Sequence, residues 1–241
     1  MTELRYLDLT LPTPAENLAC DEALLEWCEA GDCSHGLLRF WEPRETFIVL
    51  GYANRVEQEV QVDAAELAGV PIFRRCSGGG TVVQAPGCLN YTLILKIDQS
   101  LENVTDTNCF IMKRNAAVLQ ELVGKEVSVR GHTDLAVGDM KVSGNAQRRK
   151  RQWLLFHGTF LCHADLTLME RLLKHPPREP DYRQGRTHSM FITTINAPPQ
   201  AIKDAMRRGW NASGAPERLP TTLISRLVAE KYATDAWNLK W

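Results

Sequence analysis

The chain has 241 residues, 44% hydrophobic and 24% charged, which excludes disordered, collagen-like and disulfide-miniprotein classes. Twenty-eight Lys and Arg against 29 Asp and Glu leave a formal charge of −1, so no overall basic field draws the chain to nucleic acid or an anionic membrane. No apolar run approaches the roughly 18 residues of a membrane span, and MTELRYLDLT lacks the apolar core of a signal peptide; both features point to the cytoplasm.

Thr13-Pro14-Ala15-Glu16 is a capping box with proline at the first helical position, and it predicts a helix that carries Leu18, Leu25 and Cys28 and ends near Gly31. Leu37 to Trp41 and Thr46 to Tyr52 read as strands on either side of a proline turn, followed by a helix from Val62 to Ala68. Next come a strand over 72–75, a glycine loop over 77–80, and strands over 81–84 and 90–97. Apolar residues at helical spacing predict a helix over 107–123, closed by Gly124. Strands over 134–137 and 140–147 flank Gly138-Asp139, a two-residue hairpin turn of the II′ kind, and a further strand covers 153–163. Asp165 caps a short helix to Leu173, prolines break the chain after it, and helices over about 199–208 and 221–232 close the sequence. Adjacent strand runs with helices between them make the class α+β with a mainly antiparallel sheet, and no linker divides residues 1–241 into separate domains.

Two stretches carry chemistry. Arg74-Arg75-Cys76-Ser77-Gly78-Gly79-Gly80-Thr81 lets backbone approach a ligand, turns N–H groups toward one point, and sets two guanidinium groups beside them, an arrangement suited to phosphate. It is neither a Walker loop nor a dinucleotide fingerprint, and read alone it also suits a plain flexible turn. In the second stretch, Asp134 to Gln147, Lys141 follows a tight hairpin and precedes small residues that leave space for its ammonium; a solitary lysine on an exposed strand gives the same pattern. Seven cysteines (Cys20, Cys28, Cys33, Cys76, Cys88, Cys109, Cys162) include no Cys-x-x-Cys pair, so they read as reduced and mostly packed. The remaining histidines have no metal-ligand spacing. Arg148-Arg149-Lys150-Arg151 at a hairpin tip reads as a solvated turn or as a docking patch for an acidic partner.

Together the two stretches resemble the lipoate–protein ligase A type of the biotin/lipoate ligase and octanoyltransferase superfamily. Residues 74–80 match its Arg-Arg-x-Ser-Gly-Gly-Gly motif. Asp134, Leu135, Lys141, Ser143, Gly144 and Ala146 match its lysine motif, and His157-Gly158-Thr159 and Gly87-x-Leu89-Asn90 match two further signatures. The resemblance implies one catalytic domain over residues 1–241, built like biotin ligases and class II aminoacyl-tRNA synthetases. It also implies activation of lipoate or octanoate by ATP to an acyl-adenylate, then transfer to a lysine of a lipoyl carrier. That carrier is the lipoyl domain of a 2-oxoacid dehydrogenase E2 subunit, the H protein of glycine cleavage, or another lipoyl protein. Lys141 is the catalytic candidate, set against the carbonyl and phosphate of the adenylate. Arg75, Ser77, Gly78, Gly79, Gly80, Thr81, Asn90, Asp134, Ser143, Gly144, His157 and Gly158 are the binding candidates, with Asp134 also a candidate for Mg2+ or for orienting Lys141. Two departures stand out: Gln84 replaces a histidine common in the family, and the larger ligases' additional C-terminal domain has no counterpart, which calls for a separately encoded subunit or another solution. The rival reading is an acyl transferase working through a cysteine thioester, yet the two positions where transferases carry the thiol hold Glu126 and Leu154. A non-catalytic acyl-carrier-binding subunit is the third reading.

Overall fold

The computed structural model describes residues 4–241. In chain order the elements begin with β1 (Leu4–Asp8), α1 (Pro14–Glu29), β2 (Gly36–Trp41), β3 (Phe47–Leu50), α2 (Val56–Glu59), α3 (Val62–Leu67), β4 (Ile72–Arg74), β5 (Val82–Gln84) and β6 (Cys88–Lys96). There follow α4 (Val104–Val123), β7 (Val127–Arg130), β8 (Asp134–Val137), β9 (Met140–Arg149) and β10 (Trp153–Leu161). The chain closes with α5 (Thr167–Leu172), α6 (His188–Phe191), α7 (Pro199–Gly209), α8 (Thr221–Leu227) and α9 (Asp235–Asn238).

Cys88 through Leu95 of β6 are all buried, so this strand must lie inside a covered sheet. It pairs with β2 on one side and β10 on the other, in a seven-stranded sheet of order β1-β2-β6-β10-β9-β8-β7. Within that sheet only β1 and β2 run parallel. One face packs on α4 and α7 through Leu93, Leu95, Ile111, Leu119, Phe156 and Met206. The other takes α1, whose Leu24, Leu25 and Cys28 join Leu37, Ile94 and Leu155. The architecture is therefore the α+β, mainly antiparallel class that the sequence implies.

The two strands flanking Pro43 do not form a hairpin with each other. β2 belongs to the large sheet, whereas β3 is the centre of a separate sheet of order β4-β3-β5, because all four residues of β3 are buried and need a partner on each side. The glycine loop joins β4 to β5 across this small sheet. α4 starts three residues before the expected point because Asn103 caps it, accepting the Asp106 N–H at 2.9 Å. At the β8–β9 turn only Gly138, with φ +58°, has positive φ, consistent with the II′ geometry. β1, without clean alternation, and β7, which alternates but over only four residues, were not legible as strands. No helix among the described residues is long and apolar enough to cross a membrane.

Candidate active site

A cavity of about 1040 Å³ lies between the glycine loop, the β8–β9 hairpin and β10, and Lys141, Arg75, Gly79, Gly80, Thr81, Asn90, Asp134, Gly144, His157 and Gly158 all line it. Ser77 and Ser143 are buried behind the wall, and Gly78 is exposed at the rim of the loop, its carbonyl accepting from Arg75.

Arg75 is 8% exposed, and burial brings its guanidinium down to about 10. Its Nε donates to Ser77 Oγ at 3.1 Å, and its terminal nitrogens donate to the carbonyls of Gly78, Gly80 and Val49. Gly79 sits at φ +86°, and a Cβ there would come within 2.9 Å of the Arg75 side chain, so the loop wraps the guanidinium too closely for any other residue. No carboxylate among the described residues ion-pairs with Arg75, and the N–H groups of Gly78, Gly79 and Gly80 have no acceptor among those residues. A desolvated cation compensated only by carbonyl dipoles, beside free N–H groups, favours an anion. Arg74 behaves differently. It donates to the carbonyls of Gly51, Tyr52 and Asn54 and to those of Trp237 and Lys240, so it ties the C-terminal segment to the back of the loop and brings no charge to the cavity.

Behind the loop, Ser77 Oγ lies 2.6 Å from His157 Nε2, and His157 Nδ1 lies 3.4 Å from Asp21 Oδ2. Asp21 is buried on α1. Burial alone would raise its pKa, but the Arg39 guanidinium against it and the His157 hydrogen bond outweigh that and hold the carboxyl below its usual range. Asp21 was not a sequence candidate. The available signal was an Asp-Glu pair inside an otherwise apolar helix, since Leu18 to Cys28 is buried all round and each carboxylate there needs a partner: Arg39 for Asp21, Lys231 for Glu22.

On the opposite wall, Lys141 Nζ is 2.8 Å from Asp134 Oδ1, and Asp134 Oδ2 accepts from Tyr182 OH at 2.8 Å. The Tyr182 phenol is pushed up by burial and then by the Asp134 charge. The Lys141 backbone is pinned by the N–H of Thr193, which donates to its carbonyl at 2.9 Å. Gly144 lies under the lysine, where a Cβ would meet Lys141 Nζ at 2.9 Å. Asn145 folds over Gly158, donates to the Thr133 carbonyl and accepts from Tyr91 OH at 2.6 Å; a Cβ on Gly158 would fall 1.7 Å from its Oδ1. Both Asp134 oxygens are thus engaged, and no group of three His, Cys, Asp or Glu among the described residues could hold a metal ion. The side chains present build no magnesium cage of their own, and Asp134 is the carboxylate that could join phosphate oxygens and water around the ion.

Gln84, in the place of the family histidine, makes reciprocal amide hydrogen bonds with Asn90 at 2.9 and 3.0 Å and donates to Thr159 Oγ1 at 2.8 Å, closing that end of the cavity with satisfied groups. The basic hairpin tip is largely engaged within the chain. Arg148 donates to the Cys76 carbonyl, Arg149 to Thr107 and to the carbonyls of Leu101 and Glu102, and Lys150 pairs with Glu26, so three of the four side chains are fixed in place and Lys150 is neutralised.

The model of the lipoyl protein ligase A/B catalytic domain matches residues 13–203, and the chain belongs to that family. The chain is 26% identical over 256 residues to lipoate-protein ligase A subunit 1 of Thermoplasma acidophilum, covering 96% of this chain and 95% of that protein. It is also 26% identical over 279 residues to octanoyltransferase LipM of Brevibacillus brevis, covering both proteins in full. The putative lipoate-protein ligase A of Aeropyrum pernix is 33% identical over 171 residues, which are 69% of this chain and 61% of that one. Among solved structures, the bi-partite lipoate protein ligase of Thermoplasma acidophilum, described with its E2 lipoyl domain, superposes with a TM-score of 0.84 at 22% identity, covering 99% of this chain and 97% of that one. That likeness speaks for the fold. The relatives divide between ligases and octanoyltransferases, so the family supports an enzyme of lipoyl or octanoyl transfer to protein and leaves the choice to the site.

Proposed function

We propose that the chain is a lipoate–protein ligase, which activates lipoate or octanoate with ATP to acyl-AMP and transfers the acyl group to a lysine of a lipoyl carrier domain. One observation carries the choice over a thioester transferase: no cysteine lines the cavity. Cys76 and Cys162 are both buried, and burial pushes each thiol up to about 12, far from the thiolate a nucleophile needs. Cys76 faces Glu22 and Tyr232 behind the loop, and Cys109, the exposed cysteine, is on α4.

The cavity walls suit adenylation. Attack of a carboxylate on the α-phosphate builds negative charge there, and preorganised N–H donors with a buried cation stabilise it with little reorganisation. In this reading Arg75 shapes the loop so that the Gly78 to Gly80 amides face the phosphate. Lys141, aimed by Asp134 and relieved of steric conflict by Gly144, neutralises the phosphate and polarises the acyl carbonyl. Asp134 serves as the orienting partner of Lys141; magnesium would arrive on ATP, held by phosphate oxygens and water. The carrier is a lipoyl domain or H protein, and a second polypeptide completes the transfer step, in keeping with the bi-partite Thermoplasma ligase.

The experiment is acid-dependent ATP–pyrophosphate exchange with lipoate, octanoate and biotin. Exchange with lipoate or octanoate is expected. Absence of exchange, together with covalent labelling of a cysteine by octanoyl-carrier protein, would replace this reading with the transferase one.

A further inference from the structure

Transfer to the carrier has a requirement that adenylation lacks. The incoming lysine is an ammonium with a pKa near 10.4, so well under about 0.1% of it is nucleophilic at neutral pH. A base in the cavity must take its proton. Lys141 is held in an ion pair with Asp134, whose other oxygen is held by Tyr182. Asp21 is held by Arg39, and Glu59, which lines the cavity and accepts the Thr81 N–H at 3.3 Å, is a carboxylate, a far weaker proton acceptor than an imidazole.

His157 differs from all of these. Asp21 Oδ2, which can only accept, faces Nδ1 at 3.4 Å, so Nδ1 carries the N–H, and in the neutral ring Nε2 is left to accept from the Ser77 hydroxyl 2.6 Å away. A neutral imidazole backed by an ionised carboxylate is the arrangement of a general base. An incoming amine can replace the single hydroxyl on Nε2.

We propose that His157 is the base that deprotonates the carrier lysine, with Asp21 as the positioning residue that sets its tautomer and stabilises the imidazolium; this rests on the ligase reading above. The ammonium gives one proton to His157 Nε2, in the place of the Ser77 hydroxyl. The freed nitrogen pair attacks the acyl carbonyl carbon, forming the C–N bond. The bond from that carbon to the phosphate oxygen breaks, and AMP departs with the electron pair. The second nitrogen proton goes to the leaving phosphate, and His157 returns its proton to water.

The test uses preformed lipoyl-adenylate bound to the full chain, together with the second polypeptide that completes transfer, and either a lipoyl domain or hydroxylamine as acceptor. Hydroxylamine is already unprotonated at neutral pH and needs no base. In His157→Gln the ratio of carrier acylation to hydroxamate formation is expected to fall about 10²-fold, the lower end of what general bases contribute. Asp21→Asn should lower the same ratio while its circular dichroism stays native; if that variant fails to fold because Arg39 loses its partner, His157→Gln alone decides. An unchanged ratio, with both acceptors slowed equally or neither slowed, would overturn the proposal and leave His157 a support of the loop. Failure of the ligase reading shows separately, as absent pyrophosphate exchange in the parent protein.

Discussion

The two walls of the cavity are built on opposite principles. The glycine-loop wall is backed by a buried and chemically crowded row in which Arg39, Asp21, His157, Ser77 and Arg75 touch in sequence, while the exposed loop in front keeps the Gly78 to Gly80 N–H groups free of acceptors among the described residues. The lysine wall is a hairpin with a reactive side chain on its near strand, where Lys141 keeps 26% of its side-chain surface open and depends on one carboxylate and one glycine for its direction. The first wall holds shape and the second presents charge, so damage should separate them. Changes on the lysine wall should cost activity with little stability, and changes behind the glycine loop should cost both.

The sharpest separation is expected for Lys141→Ala. Removing one donor that acts on developing charge costs about 2.7 to 4 kcal/mol of transition-state stabilisation, read as kcat/KM for carrier acylation. Its unfolding free energy should stay within about 0.5 kcal/mol of the parent, since the residue is half-exposed. A comparable loss of stability would mean that the lysine wall is structural after all.

Gly158→Ala tests the join between the walls. The new Cβ would overlap Asn145, which is held by Thr133, Ser143 and Tyr91 and cannot swing aside, so about 1 to 3 kcal/mol of stability should be lost in urea unfolding, with activity falling alongside. Gly144→Ala is the contrast. Its Cβ meets only the end of the flexible Lys141 chain, so the fold should stand while the lysine is displaced.

The buried pair behind the loop should show itself in acid. Asp21 titrates below its ordinary value of about 3.9, so the stability it contributes is complete above that pH and is lost as pH falls through its folded-state value. Asp21→Asn should therefore be less stable than the parent at neutral pH and show a flatter acid limb below about pH 4 in thermal melts. An identical acid limb would show that the carboxylate contributes nothing through its charge.

The smallest effect is expected for Tyr182→Phe, which removes one hydrogen bond to Asp134 and costs about 0.5 to 1.5 kcal/mol in kcat/KM, with the lysine still ion-paired. A loss as large as that of Lys141→Ala would promote the phenol from an aid to a principal.

Much of the lysine wall was legible in the chain, because a Gly-Asp turn between alternating strands fixes where Lys141 must emerge and small residues at 143, 144 and 146 announce the space around it. The glycine loop was legible as a loop, and its second arginine as a participant. The first arginine was not distinguishable from the second, since only the packing of residues 237–240 reveals that Arg74 faces backward. The strands on either side of Pro43 were legible and their sheets were not, since local turn chemistry cannot say that two neighbouring strands enter different sheets. Asp21 and Tyr182 lay outside every motif, and Asn145 fell at an unspecified position of the lysine motif. Each acts through a partner far along the chain, 136 residues away for Asp21 and His157, and pairing at that range leaves no local pattern.

The backward-facing arginine has a consequence for how the protein comes into being. Chains fold as they are made, earlier parts first. The loop that begins at Arg74 leaves the ribosome early, together with β3, but the carbonyls of Trp237 and Lys240 and the Asn238 amide that accepts the Arg74 N–H arrive more than 160 residues later. Until then a buried guanidinium has three of its five carbonyl acceptors, and the loop lacks its rear support. A nascent chain can thus assemble both sheets and still hold an unfinished glycine loop, which gains its rear support only once residue 240 has been translated.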